Sequence, residues 1–303
     1  MNPTEGTVLV TGATGFIGRR LVTALLEEGY RVRCLVRKPD IPLPEGVERA
    51  VGDLLQPGTL DVALQGIDTA YYLVHSMAAG RADFERRDRQ AAEHFTIAGG
   101  RSGLRRAIYL GGLGETADNL SEHLASRLEV ANILRGGAFK TTFLRAAVIV
   151  GAGGASFEMV KSLVERLPVM ITPRWVSTRC QPIAVRDVIR YLVGCLAEER
   201  TAGETFDIGG PDVLTYREMM EHFAAIKKKF TMIISVPVLT PKLSSYWVGL
   251  VTSVRPSIAI PLIEGLKNEV ICRDSRIREL IPFELTPYDE AIKIALAEQG
   301  ESV

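Results

Sequence analysis

Residues 8–21, VLVTGATGFIGRRL, hold three glycines spaced three residues apart, where an apolar run gives way to helical periodicity. Glycine inside a helix or strand costs about 0.5–1 kcal/mol relative to alanine, so its repeated use here requires a physical reason. The run from Thr7 to Thr11 is almost wholly apolar, as in a parallel strand that is covered on both faces. An apolar stripe of helical spacing follows, formed by Ile17, Leu21, Ala24 and Leu25. We therefore predict a turn between a strand and a helix.

Each glycine of this turn has a separate predicted role. Gly12 permits the tight turn, Gly15 lets a pyrophosphate approach the backbone, and Gly18 lets the helix pack on the strand. The free N–H groups of the first helical turn would then point at phosphate. The spacing G-x-x-G-x-x-G differs from the simplest G-x-G-x-x-G fingerprint, and the alternative is a structural glycine turn without a ligand. The predicted dinucleotide-binding residues of this turn are Gly12, Thr14, Gly15, Phe16, Ile17 and Gly18.

Four stretches carry a resemblance to a known superfamily: TGATGFIG at 11–18, GDL at 52–54, FLRAAVIVGAG at 143–153 and FDIGGPDVLTYREM at 206–219. Together they resemble the extended and atypical branches of the short-chain dehydrogenase/reductase superfamily over nearly the whole chain. Relatives in those branches include reductases, a redox-sensing transcriptional regulator and a non-catalytic subunit of a respiratory complex. The resemblance therefore implies a fold and a nucleotide more firmly than it implies an activity.

Apolar strand candidates alternate with helical stretches as far as residue 150, which is the pattern of a doubly wound α/β fold. We predict a parallel Rossmann sheet with a smaller C-terminal substrate lobe. The dinucleotide-binding domain is expected to comprise residues 1–150 and 183–208, and the smaller lobe residues 151–182 and 209–303. The charged stretch DFERRDRQ, which begins at residue 83, is expected to be the solvated face of a surface helix.

The residues after the second strand bear on the choice of nucleotide. An NAD site usually has a carboxylate there for the ribose hydroxyls, whereas this strand ends in Arg37 and Lys38. A guanidinium with a neighbouring ammonium suits the 2′-phosphate of NADP, so NADP (NADPH) is the predicted cofactor. Asp40 is a rival for the ribose. The resemblance further implies that Asp53 and Leu54 contact adenine.

Composition excludes several classes of partner. The chain has 36 basic and 36 acidic residues, so bulk electrostatics does not favour nucleic acid. Its four cysteines form no C-x-x-C pair, which argues against a zinc ribbon or a disulfide framework and fits a cytoplasmic protein. The apolar stretch 232–254 is interrupted by Pro237, Pro241 and Lys242, so no spanning membrane segment is expected. No metal cluster is apparent, and the sequence does not predict an oligomeric state.

The resemblance implies a Ser and a Tyr-x-x-x-Lys as proton-transfer residues, and this sequence departs from both. Gly111 and Gly112 stand where the serine is expected, and His123 and Arg127 stand in place of the tyrosine and lysine. His123 could donate a proton near neutral pH, and Arg127 could hold the nicotinamide ribose. At the end of the fourth strand, His75 and Ser76 are alternative donors, because ligands bind at the carboxyl edge of such sheets.

These residues are compatible with two classes of function. One is an NADPH-dependent reductase of a small-to-medium apolar carbonyl, enone or quinone-like molecule, with Trp175, Tyr246 and Trp247 as possible pocket walls. The alternative is a non-catalytic NADPH-binding redox sensor or scaffold, which the missing serine and tyrosine favour. The sequence favours the reductase by a small margin, and it leaves open whether the protein is an enzyme.

Overall fold

The structure, a computed structural model, describes residues 6–75, 81–114, 122–236 and 268–301. For residues 81–84, 122–123 and 174–175 it describes the backbone alone.

The strands, in chain order, are β1 (Thr7–Thr11), β2 (Arg31–Val36), β3 (Glu48–Val51), β4 (Ile67–Tyr72), β5 (Arg106–Gly112), β6 (Lys140–Ala146), β7 (Ile149–Val150), β8 (Val169–Pro173), β9 (Arg179–Cys180), β10 (Ile183–Ala184), β11 (Thr205–Ile208), β12 (Leu214–Thr215) and β13 (Met232–Val236). The helices are α1 (Phe16–Glu27), α2 (Leu60–Leu64), α3 (Arg81–Ser102), α4 (Glu122–Arg135), α5 (Ala155–Arg166), α6 (Val185–Ala197), α7 (Tyr216–Ile226), α8 (Arg276–Leu280) and α9 (Tyr288–Glu298).

Seven strands form the central sheet in the order β11-β6-β5-β4-β1-β2-β3, and every pairing is parallel. The chain builds outward from β1 to β3, crosses to β4 and then builds outward in the other direction. The strand order therefore reverses between β1 and β4, which is where open α/β sheets bind ligands at the carboxyl ends of their strands. The predicted doubly wound Rossmann sheet is confirmed.

Both faces of the sheet are covered by helices, which explains why central strands such as β1 and β4 are buried along almost their whole length. One buried cluster joins the β1 residues Val8 and Val10 to Leu21 of α1 and Leu192 of α6. The cluster on the opposite face is joined by α2, α3 and α4, and it includes Leu9, Leu64, Tyr72, Phe95 and Leu134.

A third buried cluster belongs to the C-terminal half and includes Phe157 of α5, Met170 of β8, Phe223 of α7 and Ile292 of α9. The segment around α8 contacts the sheet instead, because Ile277 joins the cluster of α1 and α6. The exact division into a dinucleotide-binding domain and a smaller lobe remains a prediction. In the part of the chain that the structure describes, no helix has the length and apolar character needed to cross a bilayer.

Candidate nucleotide and proton-transfer site

The glycine-rich turn leaves no room for side chains at two of its positions. Gly12 has a φ of +69°, and a Cβ on it would lie 2.6 Å from the carbonyl oxygen of Leu73. A Cβ on Gly18 would lie 2.1 Å from the carbonyl oxygen of Gly12, so α1 can approach β1 only because this residue is glycine. The N–H of Gly15 donates to the same Gly12 carbonyl at 3.0 Å and closes the turn. The turn is thus fixed by backbone contacts at the carboxyl edge of β1 and β4.

Helix α1 begins immediately after this turn with its N-terminal amides available. No side chain among the described residues caps the helix at Gly15, and both Thr14 and Gly15 are exposed. The first N–H groups of a helix need an external acceptor, and phosphate is a favourable one. Phe16 lies against the loop after β7, since a Cβ on Gly154 would be 2.9 Å from its ring. Ile17 is half-buried beside it.

The ends of β2 and β3 are joined by a hydrogen bond from the N–H of Gly52 to the carbonyl of Val36 at 2.9 Å. Arg37 and Lys38 follow Val36 and are exposed, and neither bonds to another residue of the described ranges. Asp53 follows Gly52, and its Oδ1 accepts the N–H of Leu55 at 2.9 Å. Two basic side chains and one carboxylate therefore lie at neighbouring strand ends.

The side chain of Leu54 belongs to the core rather than to the surface of this region. It is 5% exposed and packs in the cluster of α2, α3 and α4. Its carbonyl accepts a hydrogen bond from His94 Nδ1 at 2.8 Å, so His94 fixes the backbone after β3. Sequence analysis assigned His94 no role.

His75, three residues beyond β4, lies with its Nδ1 against Oδ2 of Asp88 on α3. The Asp88 side chain is 2% exposed. Burial lowers the pKa of the His75 imidazole from its usual 6.5, and the positive charge of Arg127 lowers it further, while the bond to Asp88 opposes both effects. The site therefore contains a buried imidazole whose orientation and protonation depend on one carboxylate and one guanidinium.

Arg127 lies on α4, and its positive charge acts on this imidazole. Its Nε is buried and finds no hydrogen-bond partner in the described part of the chain. A Cβ on Gly112 would lie 3.6 Å from Arg127 Cδ, which places the side chain at the end of β5. A buried guanidinium nitrogen without a partner is costly, so the arrangement fits a ligand atom supplied from outside the protein.

His123 lies one helical turn before Arg127, but its side chain is outside the described residues, as is the whole of Ser76. Tyr246 and Trp247 also lie outside them, and so does the side chain of Trp175. The structure brings together His75 and Arg127, whereas the pairing of His123 with Arg127 stays a prediction. The positive charge of Arg127 acts on the imidazole of His75 and lowers its pKa.

The two glycines in place of the expected serine are packed against core side chains. A Cβ on Gly111 would be 2.4 Å from Phe143 Cε2, and a Cβ on Gly112 would be 2.6 Å from Leu124 Cδ2. A serine at either position would require these neighbours to move. The end of β5 is therefore built without a hydroxyl.

Arg145 forms an ion pair that holds the C-terminal segment. Its Nε donates to Oδ1 of Asp207 on the neighbouring strand at 2.7 Å. Oδ2 of Asp207 accepts the backbone N–H groups of Arg273 and Asp274 at 2.9 and 3.2 Å. Asp187, in the first turn of α6, accepts the N–H of Thr286 at 2.7 Å.

Asp88 is the site residue that sequence analysis missed, because the charged run around it was assigned wholly to a solvated face. The signal was nevertheless present. Asp88 lies three and seven residues before Ala91 and Phe95, so it falls on the apolar stripe of its helix. A carboxylate on a buried stripe requires a polar partner, which here is His75.

Comparison with known proteins gives a consistent result for the first half of the chain. Residues 12–161 match the model of a family described as NAD(P)H-binding. A ceramide reductase of Caulobacter vibrioides is 28% identical over 237 residues, which are 77% of this chain and 74% of that protein. A 3 beta-hydroxysteroid dehydrogenase/isomerase of Mycobacterium tuberculosis is 35% identical over 114 residues, 34% of this chain and 31% of that protein. The chain thus matches about a third of the steroid enzyme's length.

A triphenylmethane reductase of Citrobacter sp. has a similar structure, with a TM-score of 0.76 and 20% identity over 96% of this chain and 99% of that one. At this identity the likeness concerns the fold.

Proposed function

Residues 12–161 match the NAD(P)H-binding family, and from that premise we propose that the chain is an NADPH-dependent reductase of an apolar carbonyl, enone or quinone-like molecule. Relatives named as reductases support the reaction class. The single observation that carries the proposal is the His75–Asp88 pair at the carboxyl end of β4, within the electrostatic reach of Arg127.

The chain's residues fit a dinucleotide. A Cβ at Gly12 or Gly18 would collide with backbone atoms of the turn and of its neighbouring strand end, and the described side chains leave the first amides of α1 uncapped. The buried Nε of Arg127 has no hydrogen-bond partner among the described residues, and a ribose oxygen would supply one. Arg37 and Lys38 would take a 2′-phosphate, because an exposed pair of cations at this strand end suits a dianion. When bound, the reduced nicotinamide would supply a hydride to the carbonyl carbon.

His75 is the proposed proton donor. Its Nδ1 is held by Asp88, so Nε2 is the nitrogen that would pass a proton to the oxygen of the carbonyl as that oxygen becomes an alcohol. Asp88 stabilises the charged imidazolium and fixes the plane of the ring. Arg127 makes the imidazolium a stronger acid by lowering its pKa. Gly111 and Gly112, at the end of β5, would offer the carbonyl no side-chain hydroxyl.

The test is a screen of apolar aldehydes, ketones, enones and quinones for NADPH oxidation, followed by comparison of variants on the best substrate. His75→Gln should lower kcat by about 10²–10⁴-fold, the range for a lost general acid, with NADPH affinity nearly unchanged. The surface pair of His222 and Asp289, joined at 2.7 Å, supplies the matched control. His222→Gln should leave kcat unchanged.

The other outcomes discriminate between the alternatives. Full turnover in His75→Gln would remove His75 as donor and move the assignment to His123, which His123→Phe then tests. Tight NADPH binding without turnover on any substrate would favour the redox sensor or scaffold.

A further inference from the structure

The two-stranded ribbon of β8 and β13 exposes apolar side chains on one face. Val169 pairs with Met232 and Ile171 pairs with Ile234 in the register of the two strands. These four residues are 44–54% exposed, whereas Met170, on the opposite face, is fully buried in the C-terminal cluster. Cross-strand neighbours on one face lie side by side, so the four side chains form one continuous surface.

Phe230 extends this surface beyond the start of β13. Its side chain is 70% exposed, and leaving an aromatic ring in water is unfavourable. We call Val169, Ile171, Phe230, Met232 and Ile234 the ribbon patch. Contiguous exposed apolar side chains on a globular protein mark a surface that contacts something else.

Lys228 and Lys229 directly precede Phe230 and are both exposed. Within the described ranges neither forms an ion pair with a carboxylate, although Lys229 Nζ donates to the carbonyl of Glu165 at 3.3 Å. The neighbouring Lys227 differs, since it pairs with Glu301 at 2.8 Å. Two uncompensated positive charges therefore border the ribbon patch.

The sequence around the patch is strongly biased in charge. It contains no Asp or Glu between Glu221 and Glu264, although a stretch of this length would hold about five at the chain's average of 36 in 303. In the described part of this stretch, residues 222–236, the charged side chains are Lys227, Lys228 and Lys229, so positive charge lies beside the exposed apolar surface. Positive charge beside exposed apolar side chains attracts a surface that is negatively charged outside and apolar inside.

The backbone conformation of Lys228 also indicates that a lysine at this position costs conformational energy. Its φ is +52°, the left-handed conformation that glycine adopts most easily at the end of a helix, here α7. Glycine would suit the turn better, so the lysine is not explained by the fold.

We propose that the ribbon patch is a docking surface for an anionic lipid bilayer. The five apolar side chains enter the interfacial region, and Lys228 and Lys229 meet the lipid phosphates. This contact is peripheral and involves no spanning helix. The membrane contact is independent of the reductase proposal. It would bring the protein to the bilayer, in which apolar molecules dissolve.

The experiment is co-sedimentation of the full chain with vesicles of phosphatidylcholine, with and without phosphatidylglycerol. We expect binding to the vesicles that contain phosphatidylglycerol, and weaker binding as salt is added. Lys228→Gly with Lys229→Ser should weaken it by about tenfold or more, because each basic residue near an anionic surface contributes about a factor of five. Phe230→Ser should weaken it at every salt concentration.

Val62→Ser is the matched control, because Val62 is 74% exposed on α2 and far from the ribbon in sequence. It should leave vesicle binding unchanged. Thermal melting of each variant reports folding, and Lys228→Gly should melt no lower than wild type. Failure of the folded wild type to bind the anionic vesicles would overturn the proposal. So would a dimer that Phe230→Ser dissociates, since the patch would then contact a second copy.

Discussion

At the scale of single residues, the pair of His75 and Asp88 determines how the proposed reaction should respond to pH. Burial and the Arg127 charge hold the pKa of His75 below 6.5, so the imidazole is mainly neutral at pH 7. Reduction requires the protonated form, and oxidation of the alcohol requires the neutral form. The kcat for reduction should therefore fall as pH rises through this lowered pKa, and the kcat for oxidation should rise over the same interval.

Arg127→Met tests the cause of that shift. Removal of the positive charge should raise the pKa of His75, so both pH profiles should move to higher pH. The measurement is kcat against pH at saturating NADPH, supported by NMR titration of the imidazole. Profiles that coincide in wild type and variant would show that Arg127 does not act on the proton donor.

At the scale of elements, the segment from residue 273 to 286 is held against the sheet domain by two buried carboxylates. Asp187, in the first turn of α6, accepts the N–H and hydroxyl of Thr286 at 2.7 and 3.1 Å. Asp187→Ala should lower the free energy of unfolding by about 2–4 kcal/mol, because two buried donors lose their acceptor. Denaturant melts check this value. Asp289→Ala, at an exposed ion pair, should change it by less than about 1 kcal/mol.

Strand β2 offers a chemical test of its placement. Cys34 is fully buried within it, and burial raises the pKa of its thiol to about 12. The thiolate is the reactive form, so Cys34 should resist alkylation in the native protein and react after denaturation. Mass spectrometry of peptides labelled with iodoacetamide gives the rate. Rapid native labelling would show that the register of β2, and hence the position of Arg37, is different.

At the scale of the whole molecule, cofactor binding should appear as stability, because a ligand that binds only the folded chain raises the free energy of unfolding. At a hundred times its Kd, NADPH should add about 2.7 kcal/mol. NADH at the same concentration should add about 1.4 kcal/mol less if its affinity is tenfold lower. Arg37→Ala with Lys38→Ala should abolish the difference in melting temperature between the two nucleotides. Equal shifts in wild type would contradict the preference for NADP.

The sequence predicted those parts of the molecule that depend on neighbouring residues. The apolar strands, the glycine turn and the start of α1 follow from local pattern, and the structure places them within a few residues of expectation. The contacts of Asp88, Asp187 and Asp207 could not be predicted in the same way. Asp187 and Asp207 bind residues 66–99 positions away, and no periodicity specifies such a partner. The sequence made His75 a candidate donor because it follows the end of a strand, but it did not predict the contact with Asp88.

The two carboxylates that hold residues 273–286 also set an order of events during synthesis. Asp187 and Asp207 leave the ribosome long before Thr286 and Arg273, which supply their backbone donors. Until those donors emerge, the nascent chain holds acidic groups at sites that are dry in the finished protein. A central sheet whose last strand, β11, has been translated is therefore not yet complete, and it stays exposed to proteases and chaperones for roughly another 80 residues of translation.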